Sequence, residues 1–207
     1  MKKIICYGDS NTFGYNPKDN SRFDENSRWT SVLQKNLGKD YNVINEGMCD
    51  RTGFVSNPKG ELFSAQEHFP KFISETENFD LLILSLGTND LQFQYDISVD
   101  TVEKGLEELI NIAKEKAKNI IIIPPVILSE KILEGFFICQ FDEKSIQKSK
   151  KIGEIFKKTA DIYNCEYFDI NKFTSPSDLD GLHYDENSHK LIGNMLTNFI
   201  RRELKVI

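Results

Sequence analysis

The chain has 207 residues, 39% hydrophobic and 28% charged, with a net charge of −6. That length suits one α/β domain and buries enough apolar surface to fold without a disulfide or a metal. The acidic balance excludes a phosphate-backbone binder, which needs a basic face. The one Lys-rich stretch, residues 144–158, is interleaved with apolar residues at helical spacing and reads as a solvated helix face.

Residues 4–7 form a short apolar run that stops at Gly8. Trp29, Val32, Leu33 and Leu37 then share one helix face. Residues 42–45 carry Val43 and Ile44 and end near Gly47. Ala65, Phe69, Phe72 and Ile73 mark the next helix. Residues 81–86 are apolar except for Ser85 and stop at Gly87. Val102, Leu106, Leu109, Ile110 and Ala113 make the clearest amphipathic stripe, and residues 120–123 end at Pro124-Pro125. A helix through Ile152, Ile155, Phe156, Thr159 and Tyr163 leads to a weaker strand at 167–170. Leu191, Ile192, Met195, Leu196, Phe199 and Ile200 mark the last helix. Short apolar runs with Gly or Pro stops suit strands buried on both faces, and stripes of period 3.6 suit helices packed on a sheet. The alternation predicts a single domain over 1–207: a three-layer α/β/α sandwich with a five-stranded parallel sheet in flavodoxin-like strand order. The irregular stretches 11–27, 50–61, 91–98, 126–145 and 171–184 all follow strand ends, where an open α/β sheet binds its ligand.

The chain starts Met1-Lys2-Lys3 and runs straight into its first strand, with no secretory apolar segment. The longest apolar run, 120–128, contains two prolines and cannot span a bilayer. Cys6, Cys49, Cys139 and Cys165 form no CxxC pair and read as reduced thiols. The expectation is a cytoplasmic protein with no membrane partner.

Three short motifs fall on the expected ligand face. Gly8-Asp9-Ser10-Asn11 closes the first strand, so the Ser10 hydroxyl projects toward the site; a serine there becomes a nucleophile only if a base takes its proton. Asp180-Gly181-Leu182-His183 precedes the last helix, with an Asp three residues before a His, close enough to fix its tautomer. Gly87-Thr88-Asn89-Asp90 closes the third strand and offers the Asn89 amide to a developing oxyanion. Each alone reads equally well as a turn or a cap. His68 and His189 fall inside helix patterns and read as structural.

These motifs, with Asn45-Glu46-Gly47 and Arg51-Thr52 between them, resemble in order and spacing the four blocks of the SGNH (GDSL-type) serine hydrolases. The run Gly-Asp-Ser-Asn-Thr-Phe-Gly with Arg28-Trp29 is most similar to the arylesterase and acyltransferase branch. The resemblance implies a serine esterase acting on short-chain carboxylic esters, with possible acyl or acetyl transfer to alcohols or sugars. It implies Ser10 as nucleophile, His183 as base and Asp180 orienting it. The oxyanion donors would be the Ser10 N–H, the Asp50 N–H and the Asn89 amide, with Asn11 and Arg51 beside the substrate. Asp50 stands where the family usually carries Gly or another small residue. The resemblance requires no cofactor and no metal, makes a small-molecule ester the partner, and implies a homo-oligomer. The apolar segment 132–141, with Phe136, Phe137 and Phe141, is expected at a subunit contact, the alternative being a wall of the acyl pocket.

Two other readings compete. The loop 9–14, rich in Ser, Thr and Asn after the first strand, could cradle a phosphate in a flavodoxin-like flavin or nucleotide module. No Walker lysine and no GxGxxG support it, and it leaves Asp180 and His183 without a role. The other is a non-catalytic binding protein on the same fold, which the presence of Ser10, His183 and Asp180 together disfavours.

Overall fold

Five apolar runs become five parallel strands in a computed structural model that describes residues 1–203. In chain order they are β1 (Lys2–Gly8), β2 (Tyr41–Gly47), β3 (Phe79–Ser85), β4 (Ala117–Ile123) and β5 (Glu166–Tyr167). They lie side by side as β2-β1-β3-β4-β5, every neighbouring pair parallel, the expected strand order. Ile4, Ile5, Leu81, Leu82, Ile83, Ile121 and Ile122 are almost fully buried, as strands covered on both faces must be.

The helices are α1 (Ser10–Phe13), α2 (Trp29–Leu37), α3 (Ala65–Glu75), α4 (Val99–Ala113), α5 (Glu143–Tyr163) and α6 (Glu186–Glu203). α2 packs on α6, while α4 packs on α3 and α5. Right-handed crossovers produce this division, because the chain reverses direction across the sheet between β1→β2 and β2→β3. Among the described residues no helix is long and apolar enough to cross a membrane, and all four cysteines are free.

Strand register sets the site. Gly47, Gly8, Ser85 and Ile123 pair in one row across the sheet. The residues that follow them in sequence therefore leave the sheet at one edge.

Three details depart from the sequence reading. Residues 10–13, read as loop, form a single helical turn capped by Asp9, whose carboxylate accepts the Asn11 N–H at 3.0 Å. The strand at 167–170 is shorter than expected: Phe168 still donates to the Ile122 carbonyl at 3.0 Å, but Asp169 then caps a 3-10 turn over Ile170–Lys172. The segment 126–145 is partly ordered, with 3-10 turns at Glu130–Leu133 and Phe136–Cys139 and α5 beginning at Glu143.

His189 on α6 is fully buried, edge-on to Phe23 and Tyr184, and neither ring nitrogen has a hydrogen-bond partner among the described residues. Burial pushes its imidazole down from 6.5 to about 3. Between those values the unfolded chain binds a proton that the folded chain refuses. Stability from this group is therefore complete above pH 6.5 and is lost as pH falls toward 3, by up to about 1.4 kcal/mol per pH unit. Denaturant titrations from pH 8 to 4.5 should show H189L losing less stability in acid than the wild type. Parallel curves would place the acid lability elsewhere.

Candidate active site

The turn from β1 into α1 needs Gly8: a Cβ there would lie 2.1 Å from Thr12 Oγ1 and 2.5 Å from the Ser85 carbonyl. Asp9 follows, buried, and bonds Thr88 at the end of β3 as well as the Asn11 N–H. Burial pushes its carboxyl up, and these bonds oppose the shift. The turn thus locked presents the Ser10 hydroxyl at the sheet edge.

His183 reaches Ser10 from 173 residues away, its Nε2 lying 2.9 Å from Ser10 Oγ. Its Nδ1 lies 2.7 Å from Asp180 Oδ2. The other oxygen of Asp180 accepts the backbone N–H groups of Leu182 and His183 at 2.9 and 3.0 Å. Burial raises the Asp180 carboxyl, but its bonds to His183 outweigh that and hold it below its ordinary value. An ionised carboxylate only accepts, so Nδ1 must carry the proton, and the Nε2 of a neutral ring is left to accept from Ser10.

Two further contacts hold the His183 loop. The Asn11 amide donates to the Leu182 carbonyl at 3.3 Å and accepts the Tyr184 N–H at 3.1 Å, bracketing His183 from both sides. Behind it, Gly181 adopts φ 71°, and a Cβ would lie 2.6 Å from the Ile132 nitrogen. The Gly181 carbonyl takes the Ser129 N–H at 3.1 Å, so the segment 126–145 buttresses the histidine loop. The Tyr15 ring lies 4.2 Å from the imidazole centroid and Phe137 5.6 Å from it.

Asn89 lies at the end of β3 in a 3-10 turn (Asn89–Leu91). Gln92 donates to its Oδ1 at 3.4 Å, and its own Nδ2 donates to the Arg51 carbonyl at 3.0 Å. One amide hydrogen remains for the cavity. Next to it, buried Asp90 accepts the N–H groups of Gly53 and Phe54 at 2.6 and 2.7 Å, tying the loop after β2 to the end of β3. Burial pushes the Asp90 carboxyl up to about 6, against the pull of those bonds.

Ser10, Asp50, Asn89, Asp180 and His183 all line one cavity of about 630 Å³, a size suited to a small-molecule ligand. Asp50 has φ 63°, and its carboxylate is paired with Lys59 at 2.7 Å. Phe136, Phe137 and Leu179 form the apolar side of the cavity; Tyr15, Asn20 and Gln140 add polar groups. Of the segment 132–141, Gly135, Phe136, Phe137 and Gln140 line the cavity, Ile132 and Phe141 are buried in the core, and Ile138 is exposed.

Two residues expected beside the substrate are placed elsewhere. Arg51 is 2% exposed, donates to the Gly8 and Glu46 carbonyls and lies 4.3 Å over the Tyr7 ring. It is a strut beneath the sheet edge. Asn11 is equally buried and is committed to the His183 loop. Neither lines the cavity. The residues that sequence reasoning missed are Tyr15, Lys59 and Asp90. Asp90 lies inside the Gly87-Thr88-Asn89-Asp90 motif but was given no task of its own, whereas Tyr15 and Lys59 lie in polar loops that carry no spacing signal. The phosphate-cradle reading of residues 9–14 also fails on local geometry, because the Asp9 carboxylate already occupies the Asn11 N–H.

A family model of GDSL-like lipases and acylhydrolases matches residues 6–191, and the chain belongs to that family of ester hydrolases. In chain-long comparison it resembles the inhibitor-bound aryl esterase of M. smegmatis, with 26% identity over 97% of this chain and 99% of that one and a TM-score of 0.90. It resembles a carbohydrate acetylesterase family member from Sinorhizobium meliloti equally, with 28% identity, full coverage of both chains and a TM-score of 0.90. A lipase/acylhydrolase from Enterococcus faecalis, 22% identical over 97% and 96% of the two chains with a TM-score of 0.68, shares the fold. No curated protein matches the chain.

The Asn11 clamp gives a direct expectation. N11D keeps the acceptor for Tyr184 but sets a carboxylate oxygen against the Leu182 carbonyl. It should lower kcat about ten- to hundredfold with KM little changed, as small misplacements of a catalytic group do. Turnover within twofold of wild type, with circular dichroism unchanged, would show that His183 does not depend on this clamp.

Proposed function

We propose that the protein is a serine esterase for short-chain carboxylic esters, with Ser10, His183 and Asp180 as its triad. The observation that carries this reading is the relay Asp180–His183–Ser10, with contacts of 2.7 and 2.9 Å. Ser10 Oγ attacks the ester carbonyl while His183 Nε2 takes its proton. Asp180 keeps the proton on Nδ1 and stabilises the imidazolium that forms. The tetrahedral oxyanion is held by the Ser10 N–H, the Asp50 N–H and the free hydrogen of the Asn89 amide. His183 then returns its proton to the departing alcohol, leaving acyl-Ser10. Water, deprotonated by the same imidazole, releases the acid; an alcohol or sugar hydroxyl in its place would complete acyl transfer.

The cavity supports a small acyl group and a part-polar alcohol. Asn20, Asp50, Lys59 and Gln140 line it together with Phe136, Phe137 and Leu179, a mixture suited to a ring with hydroxyl groups or to an aryl ester. Likeness to an aryl esterase and to a carbohydrate acetylesterase family member supports both. We further propose a cytoplasmic location and homo-oligomeric assembly.

S10A should lower esterase turnover by roughly 10³-fold or more while leaving the fold intact, and H183A should fall nearly as far, because the pair acts as one unit. D180N, which no longer dictates the tautomer, should be slow but measurable. S10A turnover above a few per cent of wild type would remove Ser10 from the reaction. In a panel of 4-nitrophenyl esters and acetylated sugars, acetyl and butyryl esters should exceed twelve-carbon esters in kcat/KM. The reverse order would make Phe136 and Phe137 the wall of a lipid site.

A further inference from the structure

Asp50 places a carboxylate beside a site built to receive negative charge. Its left-handed backbone, with φ 63°, is one that Asp tolerates. The Asn57 amide holds the Asp50 carbonyl at 2.8 Å, Asn57 Oδ1 accepts the Lys59 N–H at 3.0 Å, and Lys59 Nζ returns to Asp50 Oδ2 at 2.7 Å. The loop is thus closed by three bonds, the last of them an ion pair. Both partners line the cavity that holds Ser10 and Asn89.

A carboxylate is an acceptor with no hydrogen to give, and N–H donors arranged for a tetrahedral oxyanion would take it just as well. We propose that Lys59 is a positioning residue: it holds the Asp50 carboxylate away from the oxyanion donors, so that the enzyme is not inhibited by its own side chain. This role rests on the placement of the oxyanion at Ser10, Asp50 and Asn89. Both side chains are about half exposed, 56% for Lys59 and 44% for Asp50. Such a pair adds little to stability and is open to screening by salt. Its effect should therefore appear in catalysis rather than in folding.

The test measures kcat and KM with neutral 4-nitrophenyl acetate for wild type, K59Q, K59R, D50N and D50N/K59Q. K59Q should lower kcat about three- to tenfold, the effect of one partly screened charge near the reacting centre, with KM within about twofold. K59R should restore most of the loss. In the D50N background there is no carboxylate to misplace, so K59Q should change kcat by less than about twofold. Raising salt from about 0.05 M to about 1 M should lower kcat of the wild type more than that of D50N. A K59Q enzyme equal to wild type, an equal loss in both backgrounds, or a loss confined to KM would overturn the role. D50N as inactive as S10A would instead overturn the placement of Asp50 itself.

Discussion

The bracket that Asn11 puts around His183 is the interaction on which the site depends. Ser10 and His183 come from opposite ends of the chain, 173 residues apart. A loop carrying such a histidine would ordinarily sample many positions, and the proposed general-base role needs it within hydrogen-bond reach of the serine. Asn11 adjoins Ser10, and its two amide atoms meet the backbone on either side of His183. The distance from serine to imidazole is thereby set by neighbours of both residues rather than by the reacting atoms. The Trp29 indole donates to the Asn11 carbonyl at 3.0 Å, and the Asn45 amide donates to Thr12 at 2.7 Å and Thr30 at 2.8 Å. The clamp is therefore tied to α2 and β2, which are rigid parts of the sandwich.

A second set of ties fixes the loops that carry Asp50 and Asn89. Asp90 takes two N–H groups from residues 53 and 54, and Asn89 donates to the carbonyl of residue 51. Adjacent side chains thus hold the loop after β2 at two points. The separation between the Asn89 amide and the Asp50 N–H follows from these bonds, with Arg51 bracing the same loop against Gly8. The oxyanion role proposed for these donors requires them to be in place before charge develops.

The fold was legible because buried parallel strands write continuous apolar runs, and because Gly8 and Gly47 close two of them at matched register. The fifth strand is shorter than its apolar run because Phe168 makes its last bond to the sheet and Ile170, in the 3-10 turn after it, is apolar for the core. Ser10, Asn89, Asp180 and His183 were legible because each sits in a short motif at a strand end or before a helix. Asn11 and Arg51 were found by the same motifs, but neither lines the cavity. A motif marks which residues matter near a site, not whether a side chain faces the ligand or the scaffold, and both of these turn inward. Tyr15 and Lys59 were not legible. Their contacts arise where loops from distant parts of the sequence meet, and no local period records such a meeting.

Asp9, Asp90, Asp180 and Asp50 all lie in the motifs and loops around this cavity, although the proposed reaction creates negative charge within it. Each is bound to donors of its own. Asp9 is bonded to Asn11 and Thr88, Asp90 to two backbone N–H groups, Asp180 to His183 and two backbone N–H groups, and Asp50 to Lys59. The first two are fully buried and burial drives both toward the neutral form, which further limits the charge they set against an oxyanion. Asp180 stays ionised, but in the proposed reaction the imidazolium would form between it and Ser10, where its charge is favourable. Of these, Asp50 alone is held by a half-exposed lysine. Among these acids, it is the one whose effect on the proposed oxyanion depends on an ion pair open to solvent.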